Sequence, residues 1–254
     1  MKNFRTEFNE KLENLLDLNI SVFTVWEGGS AATGYLDEYS DLDLGVVCDD
    51  DEVENLFEQL EKYFEDNYGI ENKFRTPEPS WHGHSQCYYL LKNTPYLFYV
   101  DILIEKLSAG NRFMESDRHG NSIVWFDKKD LFDPTPTPEE EVIKKGKRFY
   151  KLISDSYWIL VKDVKKQIHR KNKVDAFVIY NQLLNRMAYL WNLKYRPSKS
   201  DFGLRYTFRD FPQKTITWLE DMLVVKDLDE MMTKVDVIDA KYKELLEELK
   251  EKWG

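Results

Sequence analysis

The chain has 254 residues, and 42% of them are hydrophobic, which is enough to form the core of one large domain or two modest ones. Its 36 Lys and Arg and 46 Asp and Glu give a net charge of -10. This charge argues against a protein that coats nucleic acid through phosphate contacts, whereas it would attract a small cationic substrate.

The first half of the chain predicts alternating helices and strands. Apolar residues near the N-terminus recur at spacings of three and four, which is typical of an amphipathic helix: Phe4, Phe8, Leu12, Leu15 and Leu16. A β-rich run over 20–26 ends at Gly28 and Gly29 and predicts a buried strand. The run DLDLGVVC over 41–48 predicts a second strand, and a helical pattern follows over 49–67.

Three further β-rich runs complete the predicted sheet. QCYYLL over 86–91 and YLFYVDILI over 96–104 are separated by an Asn and a Pro that suit a turn between antiparallel neighbours. SIVWFD over 122–127 is the last run. Three prolines at alternate positions in LFDPTPTPEEE then indicate a stiff, extended connector. We expect a mixed sheet and a domain boundary at this connector.

Beyond Pro138 the sequence predicts long helices with few glycines. Apolar residues keep helical spacing from Phe149 to Ile168, from Phe177 to Trp191 and from Ile238 to Trp253. The predicted fold class is therefore α+β. A domain with a small mixed sheet and helices occupies residues 1–135, and an all-helical bundle occupies residues 136–254.

The segment over 28–44 combines features that suit phosphate chemistry. Glycine lets backbone N–H groups approach a phosphate closely, so Gly29 is a candidate nucleotide-binding residue, and Ser30 adds a hydroxyl donor. Side chains alternate along a strand, so Asp41 and Asp43 are expected on one face and Leu42 on the other. Two carboxylates that share a small volume repel each other unless a divalent cation neutralises them.

A third carboxylate, Asp101, interrupts the apolar run over 96–104. If its strand lies beside the strand of Asp41 and Asp43, all three side chains converge on a site for one or two Mg²⁺ ions. The alternative is a hydrogen-bonded structural Asp. Asp41, Asp43 and Asp101 are thus the predicted metal ligands and catalytic residues.

This segment resembles the signature of the polymerase β-type nucleotidyltransferase superfamily, in which Gly-Ser and a spacer precede Asp-x-Asp and a third Asp lies on a later strand. Gly29, Ser30, Asp41, Asp43 and Asp101 match it. The Arg-containing turn that frequently follows Gly-Ser in the family is replaced by Ala31, Ala32 and Thr33. A small sheet domain followed by a helical domain is similar to the aminoglycoside and other antibiotic nucleotidyltransferases.

The resemblance implies a Mg²⁺-dependent enzyme of antibiotic resistance that transfers AMP from ATP, or a nucleotide from another NTP, to a hydroxyl of an aminoglycoside-like small molecule. The helical domain would bind this acceptor. Asp101 would complete the metal site or act as general base, for which Glu139, Glu140 and Glu141 are competing candidates. Two other functions stay open: a non-catalytic nucleotide-binding protein, and an enzyme that nucleotidylates a protein or RNA, as in toxin and antitoxin systems.

The cellular setting follows from absences in the sequence. Residues 1–18 lack the apolar centre of a signal peptide, and no stretch reaches the roughly 20 apolar residues that span a bilayer. The two cysteines, Cys48 and Cys87, form neither a CxxC pair nor a disulfide framework. We expect a cytoplasmic protein without a membrane or nucleic-acid partner, and its association as a homodimer would be compatible with the sequence.

Overall fold

In a computed structural model, which describes residues 2–254 and side chains from residue 4 onward, six strands form one mixed sheet. The strands are β1 (Val22–Glu27), β2 (Leu42–Cys48), β3 (Ile70–Arg75), β4 (Ser85–Leu91), β5 (Val100–Lys106) and β6 (Ile123–Asp127). Their order across the sheet is β3-β4-β5-β2-β1-β6. β2 and β5 are parallel, and the other neighbouring pairs are antiparallel.

The chain divides into two compact units, Met1–Pro136 and Thr137–Gly254. The first contains the sheet and the helices α1 (Lys2–Leu18), α2 (Gly29–Thr33), α3 (Val53–Asn67) and α4 (Ser116–His119). The second contains α5 (Glu139–His169), α6 (Lys173–Tyr195), a 3₁₀ turn (Pro197–Lys199), α7 (Thr207–Asp210), α8 (Gln213–Leu223) and α9 (Leu228–Trp253). The predicted α+β fold class is confirmed.

The core of the first unit lies on one face of the sheet. The apolar stripes of α1 and α3 pack there against alternate residues of the central strands; the buried side chains include Phe8, Leu12, Leu16, Leu56, Leu60, Phe64, Leu42, Leu44, Val100 and Ile102. Strand residues between these positions must point to the opposite face. Asp43 on β2 and Asp101 on β5 are two of these residues.

The second unit has its own helical core. It is built mainly from the long helices, with Ile153, Tyr180, Met187, Val235 and Tyr242 fully buried. Two buried hydroxyls are satisfied within it, because Tyr242 donates to the Leu183 carbonyl at 2.6 Å and Tyr180 donates to the Met222 carbonyl at 2.5 Å. Within residues 2–254, no helix combines the length and the apolar character required to cross a membrane.

The structure corrects the bounds of two predicted strands and adds a third strand. The first strand starts at Val22 rather than at residue 20, and Ile20 lies in a turn with 90% of its surface exposed. The strand predicted over 96–104 begins only at Val100, because residue 97 has a positive φ of 74°. β3 is not predicted from the sequence; it is a mostly exposed edge strand without an apolar alternation.

Candidate active site

Two carboxylates lie side by side on the face of the sheet opposite α1 and α3. β2 and β5 are parallel neighbours, and their register pairs Asp43 with Asp101. Asp41 directly precedes β2, while Leu42 and Leu44 are buried in the core on the other face. The predicted grouping of the three acids requires that the strands of Asp43 and Asp101 be neighbours, and β2 and β5 are neighbours.

Electrostatics within the group disfavour three ionised carboxylates. Burial raises the pKa of Asp43 to about 7, and the nearby Asp41 and Asp101 carboxylates contribute to this rise. Burial also raises the pKa of Asp101 to about 6, against the lowering effect of a hydrogen bond from Gln86. The Arg5 guanidinium offsets the rise in the pKa of Asp43 only in part, and a bound cation would supply further positive charge.

Arg5 is a cation that lowers the pKa of Asp43, and it also donates hydrogen bonds around the start of β2. Its Nη2 donates to the buried Glu27 carboxylate at 2.5 Å and to the Asp41 carbonyl at 2.8 Å, and its Nη1 donates to the Ser40 carbonyl at 3.1 Å. Asn9 donates to the second oxygen of Glu27 at 3.0 Å. Arg5, on α1, thus holds the backbone of the loop that precedes β2.

The turn after β1 lies against Asp43. Gly28 N–H donates to the Asp43 carbonyl at 2.9 Å, and Gly29 begins α2 with a positive φ of 55°. A Cβ on Gly29 would overlap the Asp43 carboxylate, so glycine is required for both reasons. The Ser30 hydroxyl oxygen is buried and has no hydrogen-bond partner among the described residues. The absence of a side chain at Gly29 leaves space beside Asp43, and the Ser30 hydroxyl can donate a hydrogen bond to a group bound there.

These residues fit a hard divalent cation that also contacts a nucleotide. The donor set consists of carboxylate oxygens, which Mg²⁺ prefers, and the negative charge of the group is only partly compensated. In the part of the chain that is described, no three or more His, Cys, Asp or Glu side chains are arranged to hold an ion by themselves. Mg²⁺ commonly binds one or two carboxylates together with phosphate oxygens and water, so the three acids suit its usual coordination. Metal ligation by Asp41, Asp43 and Asp101 stays a prediction.

The three glutamates that compete with Asp101 as general base have a structural role in α5. Glu139, Glu140 and Glu141 form the exposed first turn of α5, where acidic side chains interact favourably with the helix dipole.

Two side chains that the sequence does not single out contact the predicted acids. Gln86 on β4 donates from Nε2 to both carboxylate oxygens of Asp101, at 2.8 and 3.0 Å. The Tyr99 hydroxyl hydrogen bonds with Asp41, and burial together with this bond raises the pKa of Tyr99. The alternation in QCYYLL places Gln86 opposite the buried Cys87, but only strand pairing shows which residue it faces.

A comparison with protein-family models finds a match in the first part of the chain. Residues 1–97 match the family model described as nucleotidyltransferase domain, a range that includes Gly29, Ser30, Asp41 and Asp43 and ends just before Asp101. A comparison with curated protein sequences finds no match.

Two solved structures are similar to the chain as a whole. A nucleotidyltransferase-like protein from Exiguobacterium sibiricum is 10% identical, with 95% of this chain and 74% of that chain covered and a TM-score of 0.39. A STING-associated CdnE c-di-GMP synthase from Capnocytophaga granulosa is 15% identical, with 97% and 80% covered and a TM-score of 0.32. Both TM-scores are below 0.5, so the family match is the finding that identifies the domain. Residues 1–97 thus match a nucleotidyltransferase domain, and this match supports the resemblance of the segment over 28–44 to the polymerase β-type superfamily.

Proposed function

We propose that this protein transfers a nucleoside monophosphate, AMP from ATP, to a hydroxyl group of a small molecule and releases pyrophosphate. One observation carries the proposal: Asp43 and Asp101 are paired across β2 and β5, Asp41 is next to them, and Gly29 packs against Asp43. A nucleotidyltransferase needs such a group of acids beside a turn that admits phosphates.

In this proposal, Asp41 and Asp43 hold one or two Mg²⁺ ions, and Asp101 completes the site or accepts a proton. When bound, the divalent cation neutralises charge on the phosphate oxygens. The Ser30 hydroxyl, which lacks a partner among the described residues, donates to a phosphate oxygen, and Gly29 allows the phosphate to approach the backbone.

The bond changes are those of a simple displacement. The acceptor oxygen forms a bond to the α-phosphorus, and the bond from this phosphorus to the oxygen that bridges to the β-phosphate breaks. Pyrophosphate leaves with that electron pair. The acceptor's hydroxyl proton passes to Asp101 or to water. The residues mainly orient the reactants and balance charge, which are the main sources of rate in phosphoryl transfer.

A cationic, hydroxylated acceptor suits the charge of the protein. The net charge of -10 favours the approach of a polyamine-like molecule such as an aminoglycoside antibiotic. We assign acceptor binding to the helical unit, and the scheme requires neither a membrane nor a nucleic acid.

The test is a pyrophosphate-release assay with Mg²⁺, each NTP in turn and a panel of aminoglycosides and other hydroxylated compounds. We expect release with ATP and at least one acceptor. Asp43→Asn should abolish it, while Asp66→Asn, which changes an exposed carboxylate on α3 paired with Lys62, should retain it.

Other outcomes would replace the proposal. ATP binding without pyrophosphate release across the panel would favour a non-catalytic nucleotide-binding protein. Transfer of radiolabel from ATP to macromolecules in a lysate would favour nucleotidylation of a protein or RNA. Unchanged activity of Asp43→Asn would remove Asp43 from the site.

A further inference from the structure

Gln86 has a defined orientation against Asp101. Its Nε2 lies 2.8 Å from Oδ1 and 3.0 Å from Oδ2 of this carboxylate. Both oxygens of a carboxylate accept, so the donor end of the amide must face Asp101 and its carbonyl oxygen Oε1 must face away. The neighbours of Gln86 along β4, Ser85 and Cys87, are buried at 6% and 1% exposure and keep the strand in place.

His82 lies behind Gln86 and completes a chain of hydrogen bonds. Its Nε2 is 3.3 Å from Gln86 Oε1, and its Nδ1 is 3.1 Å from the backbone N–H of His84. A backbone N–H can only donate, so Nδ1 accepts and carries no proton. Nε2 then carries the proton and donates to Gln86. The neutral imidazole with its proton on Nε2 satisfies both contacts.

Ser80 does not compete for this arrangement. Its hydroxyl oxygen is 3.3 Å from His82 Nδ1, but its single proton is donated to the His84 carbonyl at 2.5 Å. The same oxygen accepts from the Gly83 N–H at 3.1 Å. The loop before β4 therefore determines the tautomer of His82, and this tautomer stabilises the amide orientation of Gln86 that the Asp101 carboxylate requires.

We propose that Gln86, oriented by His82, is a positioning residue that holds the Asp101 carboxylate beside Asp43 for nucleotidyl transfer. The inference rests on the proposed function, because it assigns Gln86 a role in that reaction. A neutral amide suits this role. A Lys or Arg at this position would compete with a cation for the carboxylates, and an acidic residue would add repulsion.

The first test compares Gln86→Ala with Gln59→Ala, which removes an exposed glutamine of α3 that accepts a hydrogen bond from Asn19. We expect Gln86→Ala to lower kcat by about 10- to 100-fold, the usual effect of removing a partner of a metal-site ligand. The KM for ATP should change little, because Gln86 is not assigned a contact with the nucleotide. Gln59→Ala should retain both constants.

A double-variant comparison tests the relay through His82. His82→Ala should lower kcat less than Gln86→Ala does, and the double variant should be no worse than Gln86→Ala alone, because both changes act through one contact. Losses that multiply in the double variant would contradict the relay. A wild-type kcat for Gln86→Ala would overturn the proposal.

A measurement on the unmodified protein covers the case in which Gln86→Ala does not fold. Nitrogen-15 NMR of the imidazole rings at mildly alkaline pH should show His82 as the neutral tautomer with the proton on Nε2. The tautomer with the proton on Nδ1 would overturn the relay. Failure of the proposed function is distinct, since the unmodified protein would then release no pyrophosphate with any NTP and acceptor.

Discussion

At the scale of single residues, Gly29 combines two constraints that few positions share. Its φ of 55° lies in the left-handed region, where an L side chain costs roughly 1–2 kcal/mol. A Cβ there would also overlap the carboxylate of Asp43, whose backbone is held in the β2 ladder. Gly28, next to it, has a φ of -103° and open space where a Cβ would lie.

We predict that Gly29→Ala lowers ATP-dependent pyrophosphate release by at least about tenfold, since displacing Asp43 changes the geometry from which such sites derive their rate. The free energy of unfolding should also fall, by roughly 1–2 kcal/mol from backbone strain. Gly28→Ala is the control and should reduce stability less. Equal effects of the two substitutions in thermal melting and turnover would contradict this account.

Glu105, near the end of β5, is a buried carboxylate outside the predicted site. Its side chain has 0% exposure, and the nearest charged partner is Arg112, with Nε 3.7 Å from Oε2. Burial raises its pKa from 4.5 to about 8, and Arg112 only partly offsets this effect. The folded state therefore retains a proton on Glu105 over a pH range in which the unfolded chain has lost it.

This difference makes stability depend on pH. The folded protein binds more protons than the unfolded chain between the two pKa values of 4.5 and about 8, so the contribution of Glu105 is fully present below the lower value and is lost as pH rises through the upper one. We predict that Glu105→Gln raises the melting temperature under alkaline conditions and changes it little near pH 5. Glu58→Gln, at an exposed position on α3, is the control and should show no such pH-dependent gain. A constant difference across pH would contradict the burial argument.

At the scale of elements, the contact of α5 with α9 depends on a glycine inside a helix. Gly146 on α5 is buried, and a Cβ there would overlap the indole ring of Trp253 near the end of α9. Helix propensity alone favours Ala over Gly by about 1 kcal/mol. Packing predicts instead that Ala at this position destabilises the protein, because overfilling a well-packed core typically costs about 1–3 kcal/mol.

We therefore predict that Gly146→Ala lowers the free energy of unfolding, measured by urea denaturation followed by circular dichroism. The control is the same substitution in a Trp253→Leu background, where the overlapping ring is absent and the loss should shrink or reverse. Stabilisation by Gly146→Ala in the unmodified background would show that propensity outweighs the contact.

At the scale of the whole molecule, a bound ligand should stabilise the protein through linkage. A ligand at 100 times its dissociation constant adds about 2.7 kcal/mol if it binds only the folded state. We predict that Mg²⁺ with a non-hydrolysable ATP analogue raises the melting temperature and that EDTA reverses the rise. Asp43→Asn should lose most of this shift, and Asp66→Asn should keep it. The same shift in both variants would place the metal and nucleotide elsewhere.

The strand, turn and strand over 22–48 could be predicted because their geometry is local. Alternation along β2 places Asp43 opposite the core residues Leu42 and Leu44 whatever the rest of the chain does. The turn at Gly29 was likewise predictable from a glycine next to a strand, whereas its contact with Asp43 was not. The long helices after Pro138 were equally predictable, since their apolar spacing extends over many turns.

Contacts between distant parts of the chain could be decided only by tertiary structure. Asp101 joins Asp43 because β5 inserts as the parallel neighbour of β2, and Gln86 reaches Asp101 because β4 pairs with β5 in one register. A shift of one residue would turn each of these side chains to the other face of the sheet. β3 escaped prediction for a related reason: as an exposed edge strand it has backbone hydrogen bonds to β4 but little apolar burial to mark it in the sequence.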